Sequence, residues 1–81
     1  MELKEFTEYL VKSVVKEPDM VSVQEFGGED DSIIFEIIVH ESDKGAIIGR
    51  NGKMANALRT IIQTHAYLQG LKRVKINIDS F

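Results

Sequence analysis

The stretch Ala46-Ile47-Ile48-Gly49-Arg50-Asn51-Gly52-Lys53-Met54 gathers the residues of this 81-residue chain that are best suited to chemistry. Gly49 and Gly52 frame a turn whose backbone can approach a ligand without side-chain obstruction. Arg50 and Lys53 bring positive charge to the same spot, and Asn51 adds a hydrogen-bonding amide. The turn also opens a helix, whose unpaired N–H groups and positive dipole end attract phosphate. These groups together suit a phosphodiester backbone laid across the turn. A bare Gly-x-x-Gly is a weak signal, because glycines also serve as cap and tight turn at an ordinary helix corner. Here basic residues and a helix start coincide, and that favours the anion.

Other chemistries fail on spacing. A P-loop needs its first glycine at position 47, which is Ile47, and a Ser or Thr where Met54 stands. Gly45, Gly49 and Gly52 do not match Gly-x-Gly-x-x-Gly either. His40-Glu41-Ser42-Asp43 contains the residue types of a hydrolase triad or a metal site. Adjacent residues cannot line up nucleophile, base and orienter, and these four have a simpler task in ending a strand and capping a helix. His65 falls on an apolar helix stripe and reads as a packed histidine. The absence of cysteine removes disulfides, thiolate zinc sites and thiol nucleophiles. No catalytic residue, metal, cofactor or small-molecule substrate is assigned. A DNA-reading helix-turn-helix fits less well: its first helix would have about one and a half turns, and its second offers few base-reading groups besides Asn56 and Arg59.

The turn must be positioned by elements that the pattern supplies. Leu3, Phe6, Thr7, Leu10 and Val14 follow helical spacing, with Glu2 and Glu5 at the start, Lys16 near the end and Pro18 as the stop. Residues 20–26 read as a strand, Gly27-Gly28-Glu29-Asp30-Asp31 as a turn, and residues 33–40 as the second strand of a hairpin. That second strand is apolar on both pleat faces, which suits a central position. Ser42 and Asp43 are expected to cap a short helix over 44–48. A longer helix over 53–69 is expected to bury Met54, Leu58, Ile61, Ile62, His65 and Leu68, with Gly70 as its C-terminal cap. Val74, Ile76 and Ile78 alternate with Arg73, Lys75, Asn77 and Asp79 in a half-exposed last strand. The helical pair between strands two and three permits a right-handed crossover and a parallel pairing. The expected fold is a two-layer α+β domain, three helices on one face of a three-stranded mixed sheet.

Hydrophobic residues make up 43% and charged residues 28%, which describes one soluble globular domain over 1–81. Residues 1–40 carry three lysines against ten acids, a balance of −7; residues 41–81, Lys72 included, carry seven basic residues against three acids, +4. Between Lys44 and Lys75 there is no acid. Such asymmetry fits an anionic partner docking on one part of an acidic protein. No apolar run approaches the length of a membrane span, and the start, from Met1, lacks a basic-then-apolar signal; a cytoplasmic protein is expected.

Ile47-Ile48-Gly49-Arg50-Asn51-Gly52-Lys53, followed by Leu58-Arg59 and Ile61-Ile62, resembles the core of a KH domain. The element order is similar to the type II, prokaryotic arrangement, and the likeness covers the whole chain. It is most like the small bacterial single-KH proteins of the KhpA type. The resemblance implies that Gly49, Arg50, Asn51 and Gly52 clamp single-stranded RNA, with Ile47, Ile48 and the exposed side of the second helix walling a groove for about four nucleotides. Position and charge add Lys44, Lys53, Asn56 and Arg59. It further implies an RNA chaperone or post-transcriptional regulator linked to cell growth and division, paired with itself or with a larger KH-containing protein of the Jag type. The acidic turn Glu29-Asp30-Asp31 would repel RNA if it lay near the groove, and the pattern places no aromatic residue as a stacking platform. The rival reading is a protein-interaction or dimerisation module without nucleic acid, using Ile34 and Ile38 on the sheet face opposite Phe35 and Ile37.

Overall fold

The hydrophobic patterning resolves into α1 (Leu3–Lys12), β1 (Ser22–Gly27), β2 (Ile33–Val39), α2 (Lys44–Ile47), α3 (Lys53–Leu68) and β3 (Val74–Ser80). The computed structural model describes residues 2–71 and 73–80, without the side chains of Asp30 and Arg50; Met1 and Lys72 of the sequence reading lie outside the described residues. Strand β2 is central, antiparallel to β1 and parallel to β3, so the sheet is mixed as expected. Phe35 lies opposite Glu25 and beside Ile76; Ile37 lies opposite Val23 and beside Ile78. This is the type II KH order that the resemblance implies.

Pleat alternation sends Phe35, Ile37 and Val39 into the core, where none has any exposed surface. They meet Leu3 and Val11 of α1, Ile62 and Ala66 of α3, Val23 of β1 and Ile76 of β3. Burying an aliphatic or aromatic side chain of this size contributes about 1.5–3 kcal/mol, which makes this cluster the main support of the fold. Thr7 is also fully buried, its hydroxyl donating to the Leu3 carbonyl at 2.9 Å. On the opposite sheet face Ile34 and Ile38 are half-buried and Glu36 is exposed.

Helix α1 is shorter than its apolar stripe suggests. It stops at Lys12, so Val14 and Lys16 lie beyond it and Val14 is exposed. The amides of Lys16 and Glu17 donate instead to Asp43 Oδ1 at 2.8 Å and Oδ2 at 3.0 Å. Continued helix would turn those amides toward carbonyls of their own segment. Asp43 is thereby committed elsewhere, and its side chain does not cap α2. Nor does Ser42: its amide donates to His40 Nδ1 at 3.1 Å, and its hydroxyl lies 2.8 Å from the same nitrogen. The two expected caps are corrected accordingly. The neighbours His40, Ser42 and Asp43 also fail to converge, since Asp43 faces the end of α1.

The buried stripe of α3 is rotated from the expected one. Ala55, Leu58, Ile62 and Ala66 are buried and His65 is half-buried, whereas Met54, Ile61 and Leu68 are exposed. Ala66 joins the core cluster with Ile62, and the larger residues stand on the flank of the helix. Gly70 does close the helix: Leu71 N donates to Ala66 O at 2.9 Å and Gly70 N to Tyr67 O at 3.0 Å, the paired bonds of a Schellman motif. Strand β1 begins at Ser22 because Pro18–Met20 forms a 3-10 turn, and it extends through Gly27. In β3, Ile76 is buried, Val74 and Ile78 are half-buried, and Lys75, Asn77 and Asp79 are exposed.

Asp43→Ala removes the acceptor for two amides from a site only 2% exposed. The expected loss in a urea titration is about 2–4 kcal/mol, with Asp43→Asn, which keeps one acceptor oxygen, losing less.

Candidate functional site

The chain leaves α2 at Ile47 and enters α3 at Lys53 through a tight corner. Asn51 (φ 62°, ψ 22°) and Gly52 (φ 70°, ψ 18°) are consecutive left-handed residues. Asparagine tolerates that region better than most side chains, and glycine enters it without strain. Gly49 is glycine for a different reason. A Cβ there would stand 2.5 Å from the carbonyl oxygen of Gly45, so the turn folds back against α2 with no room for a methyl group. Gly52 N donates to Gly49 O at 3.1 Å and closes the corner.

No side chain caps the start of α3. Its first-turn N–H groups therefore face the turn together with the positive end of the helix dipole. Lys44 and Lys53 are exposed on either side, and among the described residues neither meets a carboxylate at ion-pair distance. Asn51 is exposed at the tip; the side chain of Arg50 lies outside the described residues. Ile48 is half-buried and gives the turn an apolar floor. Ile47 is 1% exposed, so it supports the turn from beneath and offers no surface of its own.

Asn56 and Arg59 lie one and two turns along α3. Arg59 Nη1 donates to Asn56 Oδ1 at 3.0 Å, and its Nε donates to the Ile76 carbonyl at 3.3 Å. Gln63 continues the row, its Nε2 donating to the Val74 carbonyl at 3.3 Å. This row ties α3 to β3. The sequence pattern alone does not single out Gln63, although its position four residues after Arg59 is the signal that marks it. Asp43 was also missed as a positioning residue, because its partners lie 27 and 26 residues away in sequence. The acidic turn Glu29–Asp31 lies at the other end of β2 from the glycine turn. Strand length puts about 20 Å between them, so its charges do not crowd the site.

Comparison with known proteins shows the family. A family model described as "KhpA/KhpB, KH domain" matches residues 4–78. The chain is 40% identical over 72 residues to a protein of Clostridium perfringens, covering 89% of this chain and 95% of that one. It is 42% identical over 76 residues to one of Clostridium acetobutylicum, covering 94% and 99%. Over 60 residues it is 43% identical to one of Streptomyces coelicolor, covering 74% and 75%. Each of the three relatives is named RNA-binding protein KhpA. Among solved structures, a variant of Aquifex aeolicus Era bound to GDP and aluminium fluoride superposes with a TM-score of 0.58 at 21% identity. That match covers 98% of this chain and 29% of the Era chain, and it speaks for the fold alone.

The three glycines around the corner are expected to respond differently to alanine. Gly49→Ala forces the turn away from α2 and costs about 1–3 kcal/mol. Gly52→Ala costs about 1–2 kcal/mol for the left-handed backbone. Gly45→Ala, whose Cβ meets nothing within 4 Å, is neutral or stabilising by up to about 1 kcal/mol. Denaturant midpoints of the three variants check the order.

Proposed function

The chain belongs to the KhpA/KhpB KH-domain family, and from that premise we propose that it binds single-stranded RNA across the turn at residues 49–52. One observation carries the reading: a left-handed corner, an uncapped helix start and two unpaired lysines meet at one exposed place. Phosphates set there receive backbone N–H groups, the helix dipole and the charges of Lys44 and Lys53, joined by Arg50 and Asn51 from the turn itself. Ile48 floors the groove, while Asn56 and Arg59 line it. Contacts of this kind hold a backbone and read few bases, so sequence discrimination is low. Residues 1–81 act as one KH domain in the cytoplasm, without catalysis, as an RNA chaperone or post-transcriptional regulator linked to cell growth and division.

One copy offers a small binding surface, and the chain is acidic as a whole, so affinity rises if two grooves are joined. The flank of α3 away from β3 supports pairing. Met54, Ile61 and Leu68 are exposed there at seven-residue spacing. Ile61 and Leu68 border a hollow whose wall includes Phe6 and His65, rings stacked 4.0 Å apart. His65 Nε2 is buried in that region and, among the described residues, has no hydrogen-bond partner. A second copy, or a larger Jag-type KH protein, laid on this flank covers the apolar residues and leaves the groove beside β3 open.

Two measurements test the reading. Anisotropy of a labelled, mixed-sequence single-stranded RNA should show binding by the wild type that weakens with salt. The double variant Arg50→Asp/Asn51→Asp should remain folded and lose at least about tenfold in affinity, the effect of losing about 1.4 kcal/mol. Equal binding by that variant would falsify the groove assignment, and no binding by either protein would favour the interaction-module reading. In sedimentation equilibrium, Ile61→Glu should shift a wild-type dimer to monomer. A wild type that stays monomeric at high micromolar concentration points to the mixed pair instead.

A further inference from the structure

Tyr67 has no structural task that accounts for it. Its side chain is 68% exposed, it lies outside the core, and among the described residues it has neither a stacking partner nor a hydrogen bond to its hydroxyl. Its place on α3 is informative. Asn56, Arg59, Gln63 and Tyr67 follow one another at three- and four-residue steps, which puts them on one flank of the helix. Arg59 bonds to the Ile76 carbonyl and Gln63 to the Val74 carbonyl, so that flank runs along β3 in the opposite chain direction. Tyr67 is the next residue in the row. With Gln63, Leu71 and Val74 it lines a hollow of about 310 Å³, at the lower end of the range for ligand pockets. The hollow has two aliphatic walls, one amide and an aromatic face.

We propose that Tyr67 is a stacking platform for a nucleobase at the far end of the α3–β3 groove, taking a base of the same RNA strand whose phosphates rest on the turn at 49–52. The inference rests on the RNA-binding reading above and extends its contact surface. From Gly52 to Tyr67 the helix rises about 22 Å, so the stacked base lies several nucleotides from the clamped phosphates. A base presents an apolar, polarisable face that a tyrosine ring receives whatever its identity, which suits a protein that reads few bases. Charge permits the path: no acid occurs in the sequence between Lys44 and Lys75. Arg73, whose carbonyl accepts the Ile33 amide at 2.8 Å, adds a positive charge at this end of the row, beside the start of β2.

The experiment compares RNAs of about four and about twelve nucleotides, the shorter filling only the clamp. With the longer RNA, Tyr67→Ala should weaken binding on the order of tenfold, while Tyr67→Phe, which keeps the ring, should match the wild type. The shorter RNA should bind all three proteins alike. The chain has no tryptophan, so Tyr67→Trp supplies a single fluorophore whose emission should be quenched by the longer RNA. If Tyr67→Ala binds the longer RNA as the wild type does, while Arg50→Asp/Asn51→Asp still loses it, the stacking site is overturned and the RNA reading stands. If the wild type binds neither RNA, both fall. If Tyr67→Ala leaves RNA affinity unchanged and alters the oligomeric state, the ring belongs to a protein contact and the proposal is overturned.

Discussion

A single buried carboxylate joins three separate parts of this chain. Asp43 follows β2, precedes α2 and accepts the amides of Lys16 and Glu17 just past α1. A charge this deep is costly unless hydrogen bonds replace the water it has lost, and two charge-assisted N–H bonds do so. The return is positional. Helix α2 has four residues, too few to be stable alone, and must be held by its surroundings. Asp43 holds its beginning, and the close approach of Gly49 to the Gly45 carbonyl holds its end.

The left-handed corner follows from those two fixed ends. With α2 anchored and Gly49 pressed against it, the chain must reverse within three residues to start α3. The left-handed pair Asn51 and Gly52 makes that reversal. The first turn of α3 is thereby left open to solvent with its amides uncapped, among residues that carry positive charge and no acid. The acidic turn Glu29–Asp31 is held at the opposite end of β2.

Helix α3 divides its surface three ways. Its alanine-rich face lies on the sheet, the row from Asn56 to Tyr67 runs beside β3, and Met54, Ile61 and Leu68 stand on the far flank. The row beside β3 and the exposed apolar flank therefore sit on opposite sides of one helix.

The element order, the mixed sheet, the central place of β2 and the glycine turn were all legible in the residues. Each rests on local information: alternation at period two, helical spacing, glycine at a turn, basic residues beside it. The end of α1, the caps of α2 and the buried face of α3 were not legible in this way. Val14 extends the helical spacing of α1, yet the helix stops early because a carboxylate 27 residues away takes the Lys16 amide. Met54, Ile61 and Leu68 outrank alanine in hydrophobicity, yet they are exposed while Ala55 and Ala66 are buried, because the helix turns its other side to its neighbours. Periodicity shows that a helix has an apolar side, but the direction of that side is set by the neighbours against which it packs. Likewise, residue types brought phosphate chemistry to the turn, while only the packed molecule aligned Arg59, Gln63 and Tyr67 against β3, since that row exists only once a strand lies beside the helix.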